Sequence, residues 1–154
     1  MTSNETHVIV GASLAGAKAA ETLRDEGFDG RVVLIGEETD RPYERPPLSK
    51  DYLRGEAGRD KVYVHPASFY ADRDIELRLG RSAVALDTAS RDVELDDGNR
   101  IRYDRLLLAT GAEPRRLPIP GADLGGVLYL RSVEDSDALR ARLVAGGSVV
   151  VVGS

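Results

Sequence analysis

The chain has no cysteine, which excludes a disulfide, a thiolate zinc site and a redox-active Cys-x-x-Cys pair within it. Its two histidines, His7 and His65, stand far apart and away from any thiol, so a metal site is not expected. No apolar run approaches the ~20 residues that cross a bilayer. The segment Met1–Thr6 lacks the basic stretch and long apolar core of a secretory signal. Positive charge is not in excess either: 21 Lys and Arg face 26 Asp and Glu, for a net charge of -5. That balance gives no general attraction to nucleic acid or to an anionic membrane. These absences predict a soluble, cytoplasmic chain. Ser13 and Ser49 have no histidine close in sequence, which argues against a hydrolase. What remains is 154 residues, 42% of them apolar, enough for the core of one ordinary domain.

The pattern along the chain predicts an α/β fold. His7 to Val10 reads as a short apolar strand, and Leu14 to Glu26 as an alanine-rich helix with Leu14, Ala17, Ala20 and Leu23 at helical spacing. Arg31 to Ile35, closed by Gly36, reads as a second, buried parallel strand. Thr39 to Asp60 is rich in proline and charge without a clear period, and such a long connection in a compact domain is usually one that binds something. A short helix is expected from Pro66 through Arg73. Strands are expected at Arg81–Leu86, Asp92–Leu95 and Arg100–Tyr103, with Asp97-Gly98 as a hairpin turn. Arg105 to Thr110 is a further apolar strand closed by Gly111. Pro114, Pro118, Pro120 and Gly121 mark a linker. Ser132 and Asp135 form a capping-box-like start to a helix that runs to about Val144, and Gly146-Gly147 ends it.

The chemistry concentrates at the first turn. Gly11 permits a sharp strand-to-helix reversal and Gly16 allows the helix to pack closely on the strand, so helix amides and the positive end of the helix dipole face a pyrophosphate. Ser13 replaces the middle glycine of the usual motif, bringing a Cβ toward the phosphate but also a hydroxyl that can donate to it. Glu37, at the end of the second strand and about 20 residues on, stands where an acid accepts hydrogen bonds from both ribose hydroxyls. Taken alone, the turn also fits a structural glycine turn, and Glu37 with Glu38 a pair of solvated loop charges. Arg45-Pro46-Pro47-Leu48-Ser49-Lys50 is stiff, because its prolines fix φ, and it holds Arg45 and Lys50 at set positions beside an anionic or electron-accepting group. Tyr43, Tyr52, Tyr63 and Tyr70 read as loop packing. Val149–Ser154 begins the strand-and-glycine pattern a second time.

The order and spacing of the Gly11 turn, Glu37, the Pro46-Pro47 loop, the antiparallel meander, Leu106–Gly111 and Tyr129–Asp135 resemble the FAD-dependent ferredoxin reductases that serve bacterial oxygenases and cytochromes P450. That family includes rubredoxin reductases. The resemblance implies a glutathione-reductase-like flavoprotein fold: a Rossmann-like FAD-binding domain with an inserted β-meander, incomplete in this chain. It implies that Gly11, Ser13, Leu14, Ala15 and Gly16 line the FAD pyrophosphate, that Glu37 holds the ribose, and that Ala83 meets adenine through its backbone. Ala109, Thr110 and Gly111 match a strand-end turn beside the cofactor, and Arg131 matches an arginine that reaches it. Lys50 matches a catalytic lysine near the reactive edge of the flavin, with Arg45 and Pro46 in the adjacent loop. In the family that lysine pairs with a later glutamate, and a returning C-terminal part completes the FAD site.

The implied activity is NAD(P)H:ferredoxin oxidoreduction, with a ferredoxin-type iron-sulfur protein as acceptor and with FAD carrying the electrons. The implied division is 1–112 for the N-terminal part of the FAD-binding domain, 113–126 for a linker and 127–154 for the start of an NAD(P)-binding domain. The chain is therefore expected to be a fragment, inactive alone. Other two-dinucleotide flavoprotein reductases and a non-catalytic FAD- or NAD-binding module are the alternative readings. Ser148–Val152 is expected to pair as a strand with its own domain or with a second copy in a homodimer, because an unpaired valine strand is a template for another chain.

Overall fold

The computed structural model describes residues 3–144 and 146–153, so the predicted segments' ends at Met1, Thr2 and Ser154 lie outside the described residues. In chain order the elements are β1 (Thr6–Val10), α1 (Leu14–Asp25), β2 (Arg31–Gly36), a 3-10 turn (Pro46–Ser49), α2 (Asp51–Arg54), a second 3-10 turn (Arg59–Lys61), α3 (Phe69–Asp72), β3 (Ile75–Leu79), β4 (Ala83–Asp87), β5 (Asp92–Leu95), β6 (Arg100–Arg102), β7 (Arg105–Leu108) and α4 (Val133–Val144). They fall into two compact units: residues 1–44 with 63–111, and residues 45–62 with 112–154.

The first unit is a three-layer sandwich. Its central sheet is parallel, in the order β3-β2-β1-β7. Val8 lies opposite Val33 and Leu106, and Ile9 opposite Leu34 and Leu107. β2 is covered on both faces, which is why Val32–Ile35 reads as a continuous apolar run rather than an alternation. Val8, Val10, Val33 and Ile35 face the antiparallel meander β4-β5-β6 and meet Val93, Leu95, Ile101 and Tyr103. Ile9, Val32 and Leu34 face the other way, onto Ala20, Tyr70 and Ile75. Each fully buried Val, Leu or Ile contributes roughly 1.5–3 kcal/mol, so these two clusters hold the layers together. At the hairpin, the Gly98 amide donates to the Leu95 carbonyl at 2.9 Å, as Asp97-Gly98 predicts.

Three sequence expectations change here. Between the helix expected to end at Arg73 and the strand expected from Arg81 lies a further strand, β3, whose Ile-Glu-Leu-Arg-Leu alternates with period two. The strand expected from Arg81 begins at Ala83, because the Arg81 amide is taken by the Gly36 carbonyl at 3.0 Å. Leu14 shares the helical spacing of Ala17 and Ala20 but is 39% exposed. At the first helical position its side chain leans back beyond the turn rather than onto the sheet.

Tyr70 shows how completely the α-side core is sealed. It is 1% exposed, and its hydroxyl has no hydrogen-bond partner among the described residues. Burial pushes its phenol up to about 12. The raised value means that the fold favours the protonated phenol, so this contribution is complete below about pH 10 and is lost as pH rises toward 12. Tyr70→Phe is expected to leave stability at pH 7 unchanged or higher by up to about 1–3 kcal/mol, because a desolvated, unpaired hydroxyl is removed. It should also flatten the alkaline limb of stability against pH. Urea unfolding at pH 7 and pH 11 checks both, and a variant less stable at pH 7 would show that the hydroxyl is satisfied.

In the second unit α4 begins with the expected box: Ser132 Oγ accepts from the Asp135 amide at 3.2 Å, and Asp135 Oδ2 accepts from the Ser132 amide at 2.7 Å. The helix reaches Val144, as predicted. The valine strand does not form. Val149–Val152 have no regular structure and are 57%, 87%, 82% and 73% exposed. A strand is stable only against a partner ladder, and among the described residues of this unit there is no strand to supply one.

Candidate functional site

Gly11 leaves β1 at φ +118, with its amide donating to the Ile35 carbonyl at 2.8 Å. A Cβ on it would stand 2.1 Å from the Ala109 carbonyl oxygen and 3.0 Å from the Thr110 nitrogen. The backbone at the end of β7 thus lies directly on the turn, held there by the Ala109 amide bonded to the Val10 carbonyl at 2.7 Å. A Cβ on Gly16 would stand 2.0 Å from the Gly11 carbonyl oxygen, so the first turn of α1 folds back onto the same point. Gly11, Gly16, Ala109 and Thr110 are therefore one packed junction. Gly111 follows it at φ +75.

Ser13 is the N-cap residue of α1, yet its hydroxyl makes no capping hydrogen bond; it points to the Tyr43 carbonyl at 3.5 Å. No acid stands in the first turn. Leu14 and Ala15 are exposed there. A helix start with free amides, a positive dipole end and no competing carboxylate attracts an anion.

Glu37 follows β2 directly and is exposed, with no ion-pair or hydrogen-bond partner among the described residues. Its backbone is pinned on both sides, since the Gly36 carbonyl accepts from Arg81 and the Glu38 carbonyl from Gly80, each at 3.0 Å. The same crossing leads into Ala83, exposed at the start of β4 and paired with Leu95. Two residues of this edge were not singled out as site residues. Gly36 has no room for a side chain, since a Cβ would meet that of Ala12 at 2.5 Å. Tyr43, 3% exposed, donates its hydroxyl to Glu38. Neither carries a local signal beyond residue type.

The other predicted residues lie in the second unit. Arg45 Nη1 donates to the Arg131 carbonyl at 2.6 Å, bringing two residues of the expected set together. Pro46 opens the 3-10 turn with its ring exposed, and Lys50 closes it. The Lys50 ammonium is exposed and has no partner among the described residues. The Arg131 amide is held by Asp135 Oδ2 at 2.9 Å. Tyr52, 5% exposed, donates to Asp137 Oδ1 at 2.7 Å. Burial first, and then that bond, push its phenol up to about 12, so it remains a donor. The two histidines have packing roles: His7 stacks on Phe28 at 3.9 Å and His65 on Phe69 at 3.7 Å.

A parallel sheet whose first strand runs through a glycine turn into an uncapped helix, with an acid directly after the second strand, is the arrangement of a Rossmann-type α/β protein. The chain belongs to the pyridine nucleotide-disulphide oxidoreductase family, whose model matches residues 5–154. It is 44% identical to rhodocoxin reductase of Rhodococcus erythropolis over 96% of this chain and 34% of that protein. It is 46% identical to a ferredoxin–NAD(P)+ reductase of a Sphingomonas species over 97% of this chain and 37% of that one. Among solved structures, the covalent putidaredoxin reductase–putidaredoxin complex superposes with a TM-score of 0.86 at 39% identity, over 92% of this chain and 34% of that chain. The chain therefore spans about a third of the length of the relatives it matches. Among the described residues, no helix is long and apolar enough to cross a membrane.

Proposed function

We propose that this chain is the FAD-binding portion of an NAD(P)H:ferredoxin oxidoreductase of the length its relatives have. The observation that carries the reading is the junction of Gly11, Gly16, Ala109 and Thr110 beside an uncapped helix start, with Glu37, exposed and without a partner among the described residues, directly after the neighbouring strand. The donor set suits a dinucleotide: backbone amides for a pyrophosphate and a carboxylate for ribose hydroxyls. The names of its relatives, reductases of ferredoxin-type proteins, support an iron-sulfur acceptor.

In this reading Ser13, Leu14, Ala15 and Gly16 bind the pyrophosphate through the first turn of α1, Glu37 orients the ribose, and Ala83 meets adenine. Ala109, Thr110 and Gly111 shape the turn beside the cofactor. Arg45, Pro46 and Arg131 hold it further along, and Lys50 faces the flavin ring. When bound, FAD supplies the conversion of a two-electron donor into one-electron steps. Lys50 places a positive charge where negative charge gathers on the ring. Residues 113–126 then link this portion to an NAD(P)-binding domain that begins at 127, and the reaction belongs to the cytoplasm, where NAD(P)H and ferredoxins are available.

The full-length protein is expected to be yellow, to bind FAD and to oxidise NADH or NADPH when ferredoxin or an artificial one-electron acceptor is present. A protein that stays colourless after FAD is added would overturn the reading. Flavin reducible by dithionite but by neither nicotinamide would leave only a binding module.

We further propose that the exposed valines pair with a second copy when the 154-residue chain is isolated. Sedimentation should show a concentration-dependent dimer that Val150→Lys with Val151→Lys returns to monomer, and a wild-type monomer at all concentrations would refute the pairing.

A further inference from the structure

Lys50 sits between two anchors on one helix. In the second unit, one face of α4 carries Val133, Ser136, Asp137 and Arg140 at the i, i+3, i+4, i+7 spacing of a single stripe. Val133 is 1% exposed and Ser136 is fully buried. The Ser136 hydroxyl donates to the Leu48 carbonyl at 2.8 Å, and Leu48 is itself 1% exposed. One turn of α4 further on, Arg140 lies against Gly55, where a Cβ would stand 2.4 Å from its Nη2. Asp137 takes the Tyr52 hydroxyl on one oxygen, and Arg59 donates to its other oxygen at 3.2 Å.

The loop is thus fastened on both sides of Lys50, two residues before it at the Leu48 carbonyl and two residues after it through the Tyr52 side chain. The 3-10 turn that leads into Lys50, Pro46–Ser49, is stiffened by Pro46 and Pro47 and closed by the Lys50 amide on the Pro47 carbonyl at 3.0 Å. These local bonds fix the backbone but not the ammonium, which is exposed and unpartnered among the described residues, so where it stands depends on where the loop is held. A buried serine costs free energy unless its hydroxyl is used, and here the use is the loop carbonyl.

We infer that Ser136 and Asp137 are positioning residues for Lys50: α4 sets where the ammonium stands relative to the flavin. This rests on the Lys50 reading given above. A chain whose loop is free to move samples many ammonium positions, and the electrostatic effect of a cation on a ring falls off with distance.

The test uses the full-length, FAD-loaded protein. Ser136→Ala and Asp137→Ala should each lower the flavin midpoint potential in the presence of Lys50 and leave it unmoved in a Lys50→Ala background. Asp137→Asn, which keeps an acceptor for Tyr52, should restore most of the Asp137→Ala shift. A purely structural role would lower thermal stability while leaving the potential alone, or would shift it equally in both backgrounds, and either result overturns the inference. A nitroxide attached through Lys50→Cys reads the tether without the flavin, and its spectrum should sharpen several-fold in the Ser136→Ala and Asp137→Ala proteins. An unchanged spectrum refutes the tether whatever the flavin does. A mobile label combined with a Lys50→Ala potential equal to wild type would instead sink the Lys50 reading and, with it, the positioning role.

Discussion

Gly11→Ala is expected to be far more damaging than Gly27→Ala, although both glycines have positive φ. At Gly27, φ is +82 and a Cβ meets nothing within 4 Å, so only the left-handed backbone penalty of about 1–2 kcal/mol is felt. At Gly11, φ is +118, and the added carbon would overlap the Ala109 carbonyl at 2.1 Å. Strain of about 1–3 kcal/mol is joined by a backbone clash that side-chain rotation cannot relieve. Displacing β7 would break the Ala109–Val10 hydrogen bond and disturb the pairing of Val10 with Leu108. Overpacking of this kind adds roughly another 1–3 kcal/mol, a large part of the 5–15 kcal/mol that holds a domain folded. Denaturant unfolding should place Gly11→Ala well below Gly27→Ala, and flavin titration of the full-length protein should find FAD binding lost in the first variant only. Equal stability and equal FAD affinity would mean that the junction yields easily and does not shape the site.

Lys50→Ala in the full-length protein should keep FAD bound while lowering the flavin reduction potential and slowing reduction by NAD(P)H by about tenfold, close to 1.4 kcal/mol. The figure is kept modest because the side chain is exposed in this chain and solvent screens its charge. Lys50→Arg retains the charge but spreads it over a planar fork, so partial recovery is expected. Stopped-flow reduction together with a potentiometric titration makes the measurement. An unchanged rate and potential would make Lys50 a surface residue.

Much of this arrangement was legible in the sequence because its causes are local. A four-residue apolar run ended by Gly36, helical spacing from Ala17 to Leu23, a Ser132–Asp135 box and an Asp97-Gly98 turn each follow from sterics and hydrogen bonding within a few residues. The Gly11 turn and Glu37 belong with them, since the length of one βαβ unit sets their spacing. The tertiary structure alone decided which distant segments meet. It placed Ala109 and Thr110 on Gly11, joined the Pro46-Pro47 loop to α4 through Ser136 and to the segment before α4 through Arg131, ran β3 beside β2, and left Val149–Val152 without a ladder. A valine run states a preference for a strand, but a strand exists only where another edge accepts its amides and carbonyls. Likewise Ser136 reads as an ordinary helical serine until burial against Leu48 leaves its hydroxyl one place to donate. Local pattern fixes what a segment can become; burial summed over partners far apart in the chain determines where it goes.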